Sequence, residues 1–331
     1  MNILFKTAGG RAKNQELGLG HIYRCIALSH YMKKHSIYFL VEDYGGVRDV
    51  LNDNQHMNLY TLKKNLGVKD ELKKTLDLIK EKKIDILIID RYKTKRRYVN
   101  GIKKFVKTII ISDLKTIDYN ADLIVNGFIG FKNRIFINNY GSTCLLGPKY
   151  QLLNQKYEHK SIQKNKKYDL LITVGGFDDK RIIETICKEV VHYLDKFKVK
   201  IILGPVTIKS RTIQKLELQF KDNLDVILKT KDMKREISNC KFGICGGGIT
   251  SYEFASMGVP FAIICQYKHQ LQTATYWQKN KVGLNLGLPN TQLRKKLQNL
   301  FQNILNDDIP LESKMSIVDG LGARRVAKAI L

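Results

Sequence analysis

Short apolar runs that alternate with helical stretches restrict the fold of this chain more than any other feature. Runs of roughly five to seven apolar residues are followed by segments of helical periodicity, which is the pattern of βαβ units around a largely parallel sheet. The first half predicts strands at Ile3–Lys6, Ile37–Val41, Ile84–Ile89, Thr108–Ile111, Leu123–Asn126 and Thr143–Leu146, and helices at Ile22–Lys33 and Asp70–Lys82. The second half predicts strands at Leu170–Val174, Val199–Leu203, Val226–Leu228, Phe242–Cys245 and Pro260–Ile264, and helices at Arg181–Leu194, Thr250–Met257, Gln270–Asn280 and Gln292–Leu305.

A polar, lysine-rich stretch separates two halves that each begin with a strand and a glycine turn. The 331 residues are sufficient for two domains, and the stretch 154–167 has no apolar periodicity. We therefore predict one Rossmann-like domain over 1–153, a linker over 154–167 and a second Rossmann-like domain over 168–331. Two doubly wound α/β domains of this kind are expected to face each other across a ligand cleft at the carboxyl ends of their strands.

The chain carries a strong excess of positive charge. Its 57 Lys and Arg residues against 31 Asp and Glu residues give a formal net charge of +26, and the lysines are spread over helix faces and loops. This spread favours a solvated basic surface, which would also attract a diphosphate substrate. Nucleic-acid binding is a competing hypothesis that predicts strong salt dependence, but it leaves the glycine turns unexplained, and we expect no nucleic-acid partner.

The first residues and the cysteines bear on the compartment of the protein. Met1–Lys6 predicts a first strand rather than a signal peptide, and no apolar run reaches the roughly 18–20 residues of a membrane span. We therefore expect a cytoplasmic protein without stable membrane insertion. The six cysteines stand singly with no C-x-x-C pair, which predicts buried free thiols, and we expect neither a metal site nor a cofactor.

The first glycine turn is the best candidate for a chemical centre. Gly18-Leu19-Gly20-His21 follows a polar loop at 7–16 and leads into a predicted amphipathic helix. The glycines allow a ligand to approach the backbone, and the helix N-terminus favours an anion. His21 at this tip can take a proton from water or from a hydroxyl group near neutral pH; alternatively, it caps its own helix or binds phosphate only.

Two further glycine turns follow strands of the second half. Gly175 and Gly176 are compatible with phosphate or sugar contact and, almost equally, with a plain strand-to-helix turn. The turn 246–248 has three glycines, and Thr250 and Glu253 follow it with the spacing of a capping box. We favour a diphosphate site there, in which the Glu253 carboxylate accepts hydrogen bonds from ribose hydroxyls, because three consecutive glycines otherwise lack a reason.

Polar residues at other predicted strand ends complete the set of candidates. Asp90 and Tyr92 follow one strand of the first half, Asp113 follows the next, and Gln270 opens a helix of the second half. Since ligands of doubly wound sheets bind at the carboxyl ends of the strands, these positions are those of cleft residues. Each of them taken singly is more often structural than catalytic.

Taken together, the motifs resemble those of a known family. The series comprises Gly18-Leu19-Gly20-His21-x-x-Arg24-Cys25, Asp90-x-Tyr92, Gly147-Pro148-x-Tyr150-x-Leu152-Leu153, Gly175-Gly176-x-Asp178, Gly247-Gly248-x-Thr250-x-x-Glu253 and Gln270. Over nearly the whole chain it resembles the UDP-2,4-diacetamido-2,4,6-trideoxy-β-L-altropyranose hydrolase family of pseudaminic acid biosynthesis, with which spore-coat polysaccharide proteins are grouped. It is more distantly similar to the MurG-type glycosyltransferases of the GT-B fold.

The resemblance implies a GT-B-like fold and metal-independent hydrolysis of a UDP-linked deoxy-diacetamido or related amino sugar at C1. His21 would activate or position the attacking water in the N-terminal domain. The C-terminal domain would bind the nucleotide, with the diphosphate at 247–250, the ribose at Glu253 and the uracil near 233–237. The implied substrate contacts are Gly18, Gly20, Arg24, Asp90, Tyr92, Gly175, Gly176, Gly247, Gly248, Ile249, Thr250, Glu253 and Gln270.

The sequence departs from the family pattern mainly on the sugar side. Ile249 stands where serine is usual, His269 replaces asparagine, Arg91 replaces histidine and Asn154 replaces arginine. These changes leave the sugar and the acceptor open. The alternative function is a GT-B glycosyltransferase that moves the sugar to a lipid or polysaccharide acceptor, for which an apolar patch such as 127–131 and the basic surface would provide peripheral membrane contact.

Overall fold

The computed structural model describes residues 1–10, 18–52, 57–92, 94–158, 165–178, 180–205, 207–311 and 317–331. The predicted polar loop 7–16 and the predicted linker 154–167 therefore lie partly outside the described residues. The chain forms two compact units: unit 1 comprises Met1–Gln155 with Gly320–Leu331, and unit 2 comprises Lys156–Asp319.

Unit 1 is built on a sheet in which β1 is central. The order of its eight described strands is β3-β2-β1-β4-β5-β6-β8-β7, and neighbours pair in parallel except for β7 with β8. Strand order reverses beside β1, so β1 and β4 flank the switch point at which doubly wound sheets bind ligands. The strands are β1 (Asn2–Gly9), β2 (Ser36–Asp43), β3 (Met57–Leu62), β4 (Ile86–Asp90), β5 (Lys107–Ile111), β6 (Leu123–Asn126), β7 (Arg134–Ile137) and β8 (Thr143–Leu146).

Helices cover the apolar side chains of this sheet. Leu4, Leu87 and Ile89 enter one core together with residues of α3 and α4, while α1 packs along β1. Alternating side chains thus give the central strands two buried faces, as expected of a parallel sheet between helix layers. The helices of this part are α1 (Gly20–Ser29), α2 (Val47–Asn52), α3 (Val68–Glu81) and α4 (Arg96–Ile102), with short 3-10 helices at His30–Met32 and Pro148–Tyr150.

The sheet of unit 2 has the strand order of a Rossmann fold. The order is β11-β10-β9-β12-β13-β14, every neighbour pair is parallel, and β9 and β12 flank the switch point. The strands are β9 (Tyr168–Thr173), β10 (Val199–Ile202), β11 (Leu224–Ile227), β12 (Cys240–Gly246), β13 (Phe261–Ile264) and β14 (Gly283–Gly287). The helices are α5 (Ile182–Val190), α6 (Arg211–Gln219), α7 (Met233–Ser238), α8 (Ile249–Met257), α9 (Gln270–Lys279) and α10 (Leu293–Leu305), with 3-10 helices at Gln155–Glu158 and Val191–Tyr193.

The last helix belongs to unit 1, which corrects the predicted boundary 168–331. Helix α11 (Gly322–Ile330) buries an apolar stripe that includes Val326, and it contacts α1. Gly322 lies so near the backbone of Gln151 that a Cβ atom would come within 2.1 Å of the carbonyl oxygen. An amphipathic helix requires an apolar partner surface, and unit 1 provides that surface here.

The α/β class with two Rossmann-like sheets is confirmed, and each strand predicted from an apolar run is present. The missed strands β3 and β7 are edge strands whose residues are mostly not buried. The missed strand β14 has the sequence GLNLG, in which parallel pairing with β13 overrides weak strand propensity. The missed helices are α2, α4, α6, α7 and α11.

The cysteine prediction is also confirmed, because all six thiols are free and buried. Burial raises the pKa of several of them, including that of Cys187 and of Cys240 to about 12, which keeps these thiols protonated. Among the helices of the described residues, none has the length and apolar character needed to cross a bilayer.

We expect Gly322→Ala to lower the free energy of unfolding by about 1–3 kcal/mol, because its methyl group would overlap the Gln151 carbonyl and force the backbone to move. Urea unfolding of the purified chain measures the change. The matched control is Gly20→Ala, which also changes the first residue of a helix but has no neighbouring atom within 4 Å of its Cβ position. Equal losses in the two variants would contradict the packing of α11 in unit 1.

Candidate active site

His21 and Asp90 meet at the switch point of unit 1. Asp90 ends β4 and is paired with Thr7 of β1, while His21 stands in the first turn of α1. The His21 Nδ1 atom lies 2.7 Å from Asp90 Oδ1. The side chain of Asp90 is fully buried and that of His21 is 16% exposed, so a buried carboxylate holds an imidazole that still reaches solvent.

The hydrogen bonds at Nδ1 assign the tautomer of His21. A carboxylate only accepts hydrogen bonds, so Nδ1 is the donor to Asp90. The Nη2 atom of Arg24 also lies 2.8 Å from Nδ1, but it donates to Asp90 Oδ1 at 2.6 Å. With the proton on Nδ1, the Nε2 atom of the neutral ring carries the lone pair that a general base needs.

Arg24 holds two carboxylates one turn further along α1. Its Nε donates to Asp90 Oδ2 at 3.0 Å, and its Nη1 donates to Asp113 Oδ1 at 2.5 Å. Burial disfavours the charged guanidinium, but Asp113 and Asp90 outweigh burial, and the pKa of Arg24 is raised well above its usual value. The guanidinium therefore neutralises Asp90 and fixes its orientation toward His21.

The same groups have the spacing of a metal site. Ligand atoms of His21, Asp90 and Asp113 lie within 4.8 Å of one another. However, the Arg24 guanidinium already bridges both carboxylates and lies beside the imidazole. Since a cationic group occupies the position that a metal ion would take, we interpret the cluster as a proton-transfer site.

Arg91 anchors the end of β4 on the opposite face of the sheet. Its Nη1 donates to Glu42 Oε1 at 2.7 Å and also pairs with Glu71. The fully buried Lys6 lies 2.5 Å from Glu71 Oε1, and its pKa is lowered, chiefly by burial and then by Arg91. The sequence showed Arg91 only as a departure from the family pattern, whereas its contacts in the structure are made with this buried charge cluster.

The three consecutive glycines that end β12 and lead into α8 differ in their surroundings. A Cβ atom on Gly246 would come within 2.9 Å of the Val174 carbonyl oxygen, and one on Gly247 within 2.7 Å of the Gln270 Cβ. Gly248 is exposed, has open space at its Cβ position and is the N-cap residue of α8. Close packing therefore explains the first two glycines, and the third leaves the helix N-terminus open to a ligand.

The first turn of α8 has no side-chain cap. The capping box of Thr250 and Glu253, one of the two interpretations of the sequence, is not formed, because the helix begins at Ile249 and Gly248 is its N-cap. Thr250 lies inside the helix instead. The N–H groups of this first turn and the helix dipole are consequently directed at any anion bound there.

The helix after the second glycine turn is already capped. Asp178 accepts hydrogen bonds from the backbone N–H groups of Ile182 at 2.8 Å and Ile183 at 2.9 Å. Its carboxylate thus occupies the donors at the start of α5, where a phosphate would otherwise bind. Gly175 has a φ of +96°, which favours glycine. These contacts agree with a plain strand-to-helix turn, the second interpretation of Gly175 and Gly176.

Gln266, which the sequence did not single out, links two of the predicted regions. Its buried Nε2 donates to the carbonyl groups of Val174 at 3.0 Å and Phe177 at 2.9 Å, on either side of the 175–176 turn. Its backbone N–H donates to Gln270 Oε1 at 2.8 Å. One glutamine after a strand has no periodic signal, so only the fold shows this connection.

The structure joins the predicted residues into one group in each unit. In unit 1, direct contacts join His21, Arg24 and Asp90, and Gly18 and Gly20 have open space at their Cβ positions. In unit 2, packing and hydrogen bonds connect the surroundings of Gly175, Gly176, Gly247 and Gln270. Next to them in the chain are the N-cap Gly248 and the α8 residues Ile249, Thr250 and Glu253. Tyr92 is half-buried in the turn after β4.

The apolar segment 127–131 does not form the exposed patch for membrane contact that was expected for the glycosyltransferase alternative. Phe128 and Ile129 are buried, and Phe131 packs against the core of α3 and α4. Phe128 and Phe131 also meet edge to face with ring centroids 6.0 Å apart. Packing within unit 1 thus buries Phe128 and Ile129 and covers part of Phe131.

Comparison with solved structures defines the class of fold. MurG of Acinetobacter baumannii aligns over 100% of this chain and 99% of its own with a TM-score of 0.66 at 14% identity. MnaA of S. aureus, solved with UDP, aligns over 99% and 95% with a TM-score of 0.64 at 11% identity. These alignments confirm the predicted GT-B-like fold.

Relatives in sequence are more specific than the fold comparison, although no family model matches the chain. The spore coat polysaccharide biosynthesis protein SpsG of Bacillus subtilis is 25% identical over 94% of this chain and 93% of its own. The UDP-2,4-diacetamido-2,4,6-trideoxy-beta-L-altropyranose hydrolase of Campylobacter jejuni is 24% identical over 84% and 97%. The uncharacterized protein MJ1062 of Methanocaldococcus jannaschii is 25% identical over 79% of this chain, which spans 55% of that relative's length.

The resemblance inferred from the glycine motifs is therefore confirmed. Two of the relatives are a spore coat polysaccharide protein and the altropyranose hydrolase, the two kinds of protein that the motifs resemble. The structural neighbours include MurG, the more distant resemblance. These similarities support an enzyme that processes a nucleotide sugar.

We expect Arg24→Met to lower the free energy of unfolding by about 3–5 kcal/mol, because Asp90 would remain as a buried charge without its counter-ion. Urea unfolding at pH 7 measures the loss. The control is Arg96→Met, whose partner is Asp118 and whose side chain is 60% exposed, with an expected cost of at most about 1 kcal/mol. A loss in Arg24→Met no larger than the control's would show that Asp90 does not depend on Arg24.

Proposed function

We propose that this chain hydrolyses a UDP-linked deoxy-diacetamido sugar, or a related amino sugar, at C1 without a metal ion. The products are UDP and the free sugar, which would enter nonulosonic acid or surface polysaccharide synthesis. The observation that carries the proposal is the 2.7 Å contact of His21 Nδ1 with the buried Asp90, which leaves Nε2 as the proton acceptor. The name of the Campylobacter jejuni relative supports the same reaction.

The chemistry of the water side follows from the His21 cluster. As the water oxygen attacks C1, His21 Nε2 takes one of its protons and a new C1–O bond forms. The bond between C1 and the β-phosphate oxygen breaks, and UDP leaves with the electron pair. Asp90 stabilises the imidazolium that results, and Arg24 keeps Asp90 in place.

The nucleotide side is assigned to α8 of unit 2. A diphosphate leaving group needs positive potential and N–H donors, and the uncapped first turn of α8 supplies both around 247–250. Glu253, one turn further on, would accept hydrogen bonds from the ribose. The family resemblance puts the uracil at the region 233–237, and the contact of α7 with α8 is compatible with that position.

A GT-B glycosyltransferase is the second candidate, because a hydroxyl of an acceptor would use the same base and the same donor site as water. The fold similarity to MurG favours it. Incubation with a panel of UDP-linked amino sugars, with and without EDTA, distinguishes the two. Free sugar in equal amount to UDP supports the hydrolase, whereas UDP release only with a membrane extract as acceptor source supports the transferase.

We expect His21→Ala to reduce kcat for UDP release by about 10²–10⁴-fold, because the general base is lost. The affinity for UDP should stay within about twofold, since the nucleotide is assigned to unit 2. Steady-state kinetics and calorimetry measure the two effects. The control is His192→Ala, which removes an exposed imidazole of unit 2. Full activity in the His21 variant would exclude this residue as the base.

We expect Asp90→Asn to reduce kcat by about 10²–10⁴-fold while UDP affinity is retained. An amide can donate to His21 Nδ1, which would place the imidazole proton on Nε2 and remove the lone pair that accepts the proton from water. Asp118→Asn, which changes an exposed carboxylate of the same unit, is the control. An Asp90→Asn variant as active as this control would contradict the assigned tautomer.

A further inference from the structure

Two segments of unit 2 meet across the end of the strand that lies between them. In the sheet, β12 pairs with β9 on one side and with β13 on the other. After β9 the chain enters the glycine turn 175–176 and then reaches Lys180, and after β13 it enters the segment 265–269. Because the strands are parallel, a contact between these two segments spans the carboxyl end of β12.

The contact across β12 has two parts. The buried Gln266 donates from Nε2 to the carbonyl groups of Val174 at 3.0 Å and Phe177 at 2.9 Å. The Nζ atom of Lys180, an exposed residue, lies over the ring of Tyr267, 5.9 Å from its centroid. Buried amide hydrogen bonds therefore hold the two segments together, and a lysine reaches from one segment to an aromatic ring of the other.

The three glycines that end β12 lie against both segments. A Cβ atom on Gly246 would come within 2.9 Å of the Val174 carbonyl oxygen, and one on Gly247 within 2.7 Å of the Gln270 Cβ atom. The backbone N–H of Gln270 in turn donates to the Tyr267 carbonyl at 3.1 Å. Lys180 and Tyr267 therefore flank the glycines from which α8 begins.

Neighbouring groups restrict the position of the Lys180 ammonium. The ring of Tyr267 stacks on that of His269, with centroids 5.8 Å apart and planes 15° or less from parallel, at 10°. An ammonium over an aromatic face is attracted to it, which limits the movement of a long side chain. The Asp178 carboxylate, two residues before Lys180, already accepts hydrogen bonds from the start of α5.

A diphosphate requires more positive charge than a helix N-terminus supplies. The first turn of α8 offers N–H donors and the partial charge of the helix dipole, equivalent to about half an elementary charge. A lysine ammonium adds a full charge and three donors that can turn toward phosphate oxygens. The arrangement beside the glycines thus combines backbone donors with one cation, as suits a diphosphate.

We propose that Lys180 binds the diphosphate of the nucleotide sugar by donating from its ammonium group to a phosphate oxygen, and that Tyr267 is the positioning residue that holds Lys180 there. This inference rests on the proposed function, in which the start of α8 binds the diphosphate. As the bond between C1 and the β-phosphate oxygen breaks, the electron pair passes to UDP. Lys180 stabilises this added negative charge and keeps its own proton.

The test is calorimetric binding of UDP to the full-length chain at pH 8, with uridine measured by competition. We expect Lys180→Met to weaken UDP binding by about tenfold to hundredfold, the effect of one charge-assisted hydrogen bond. Uridine has no phosphate, so its affinity should stay within about twofold. Lys180→Arg should recover most of the UDP affinity, because it keeps the positive charge and hydrogen-bond donors.

Lys279→Met is the matched control. The Lys279 Nζ atom also lies over an aromatic ring, that of Tyr276, 5.7 Å from its centroid. Lys279 is the last residue of α9, and the length of the helix separates it from Gln270 by about 13 Å. A UDP affinity of Lys180→Met equal to that of this control would overturn the inference and leave the proposed function standing.

A double-mutant cycle tests the role of Tyr267. We expect Tyr267→Leu to weaken UDP binding by about twofold to fivefold in the chain with Lys180 and to have no further effect together with Lys180→Met. The same loss in both backgrounds would overturn the positioning role. Equal losses of UDP and uridine affinity in Lys180→Met would overturn the inference, because they would indicate damage to the fold. Absence of UDP binding by the unchanged chain would instead overturn the proposed function.

Discussion

A negative charge on Asp90, fully buried at the end of β4, governs the arrangement around it in unit 1. A charge in this position is stable only with a counter-ion and hydrogen-bond donors. Arg24 supplies the counter-ion and His21 supplies a donor, and both stand at the start of α1. The glycine turn before α1 therefore has two consequences. It starts the helix that positions His21 and Arg24 against Asp90, and it leaves space beside Gly18 and Gly20 for a ligand.

The end of β4 is held from both faces of the sheet. Alternation places Asp90 against α1 and the next residue, Arg91, against Glu42 and Glu71 on the other face. A shift of the strand end would break ion pairs on both sides at once. In unit 2, neutral hydrogen bonds fix the corresponding region. The Gln266 side-chain amide donates to carbonyl groups on both sides of the 175–176 turn, and its backbone N–H donates to Gln270. The two candidate regions are thus preorganised by different chemistry on similar sheets.

The strands and glycine turns were predictable because buried parallel strands leave continuous apolar runs and the turns leave glycine spacings. The partners of the site residues were not predictable in the same way. Arg24 and Asp113 are 89 residues apart, and only the strand order brings them together. The uncapped start of α8 was also beyond the sequence pattern, because the spacing of Thr250 and Glu253 fits a capping box equally well. Tyr157 lies in the segment predicted to be a linker, and the polar residues around it gave no sign that its ring is buried.

The position of α11 has a consequence for dissecting the protein. Because Gly320–Leu331 belongs to unit 1, unit 2 is a continuous insertion, 156–319, within a discontinuous unit. A cut after Gln155 would yield an N-terminal fragment that lacks the helix packed against α1, whereas a fragment of 156–319 would retain every residue of its unit. Labels attached at Met1 and at Leu331 would both report on unit 1, so a probe for unit 2 has to be placed internally.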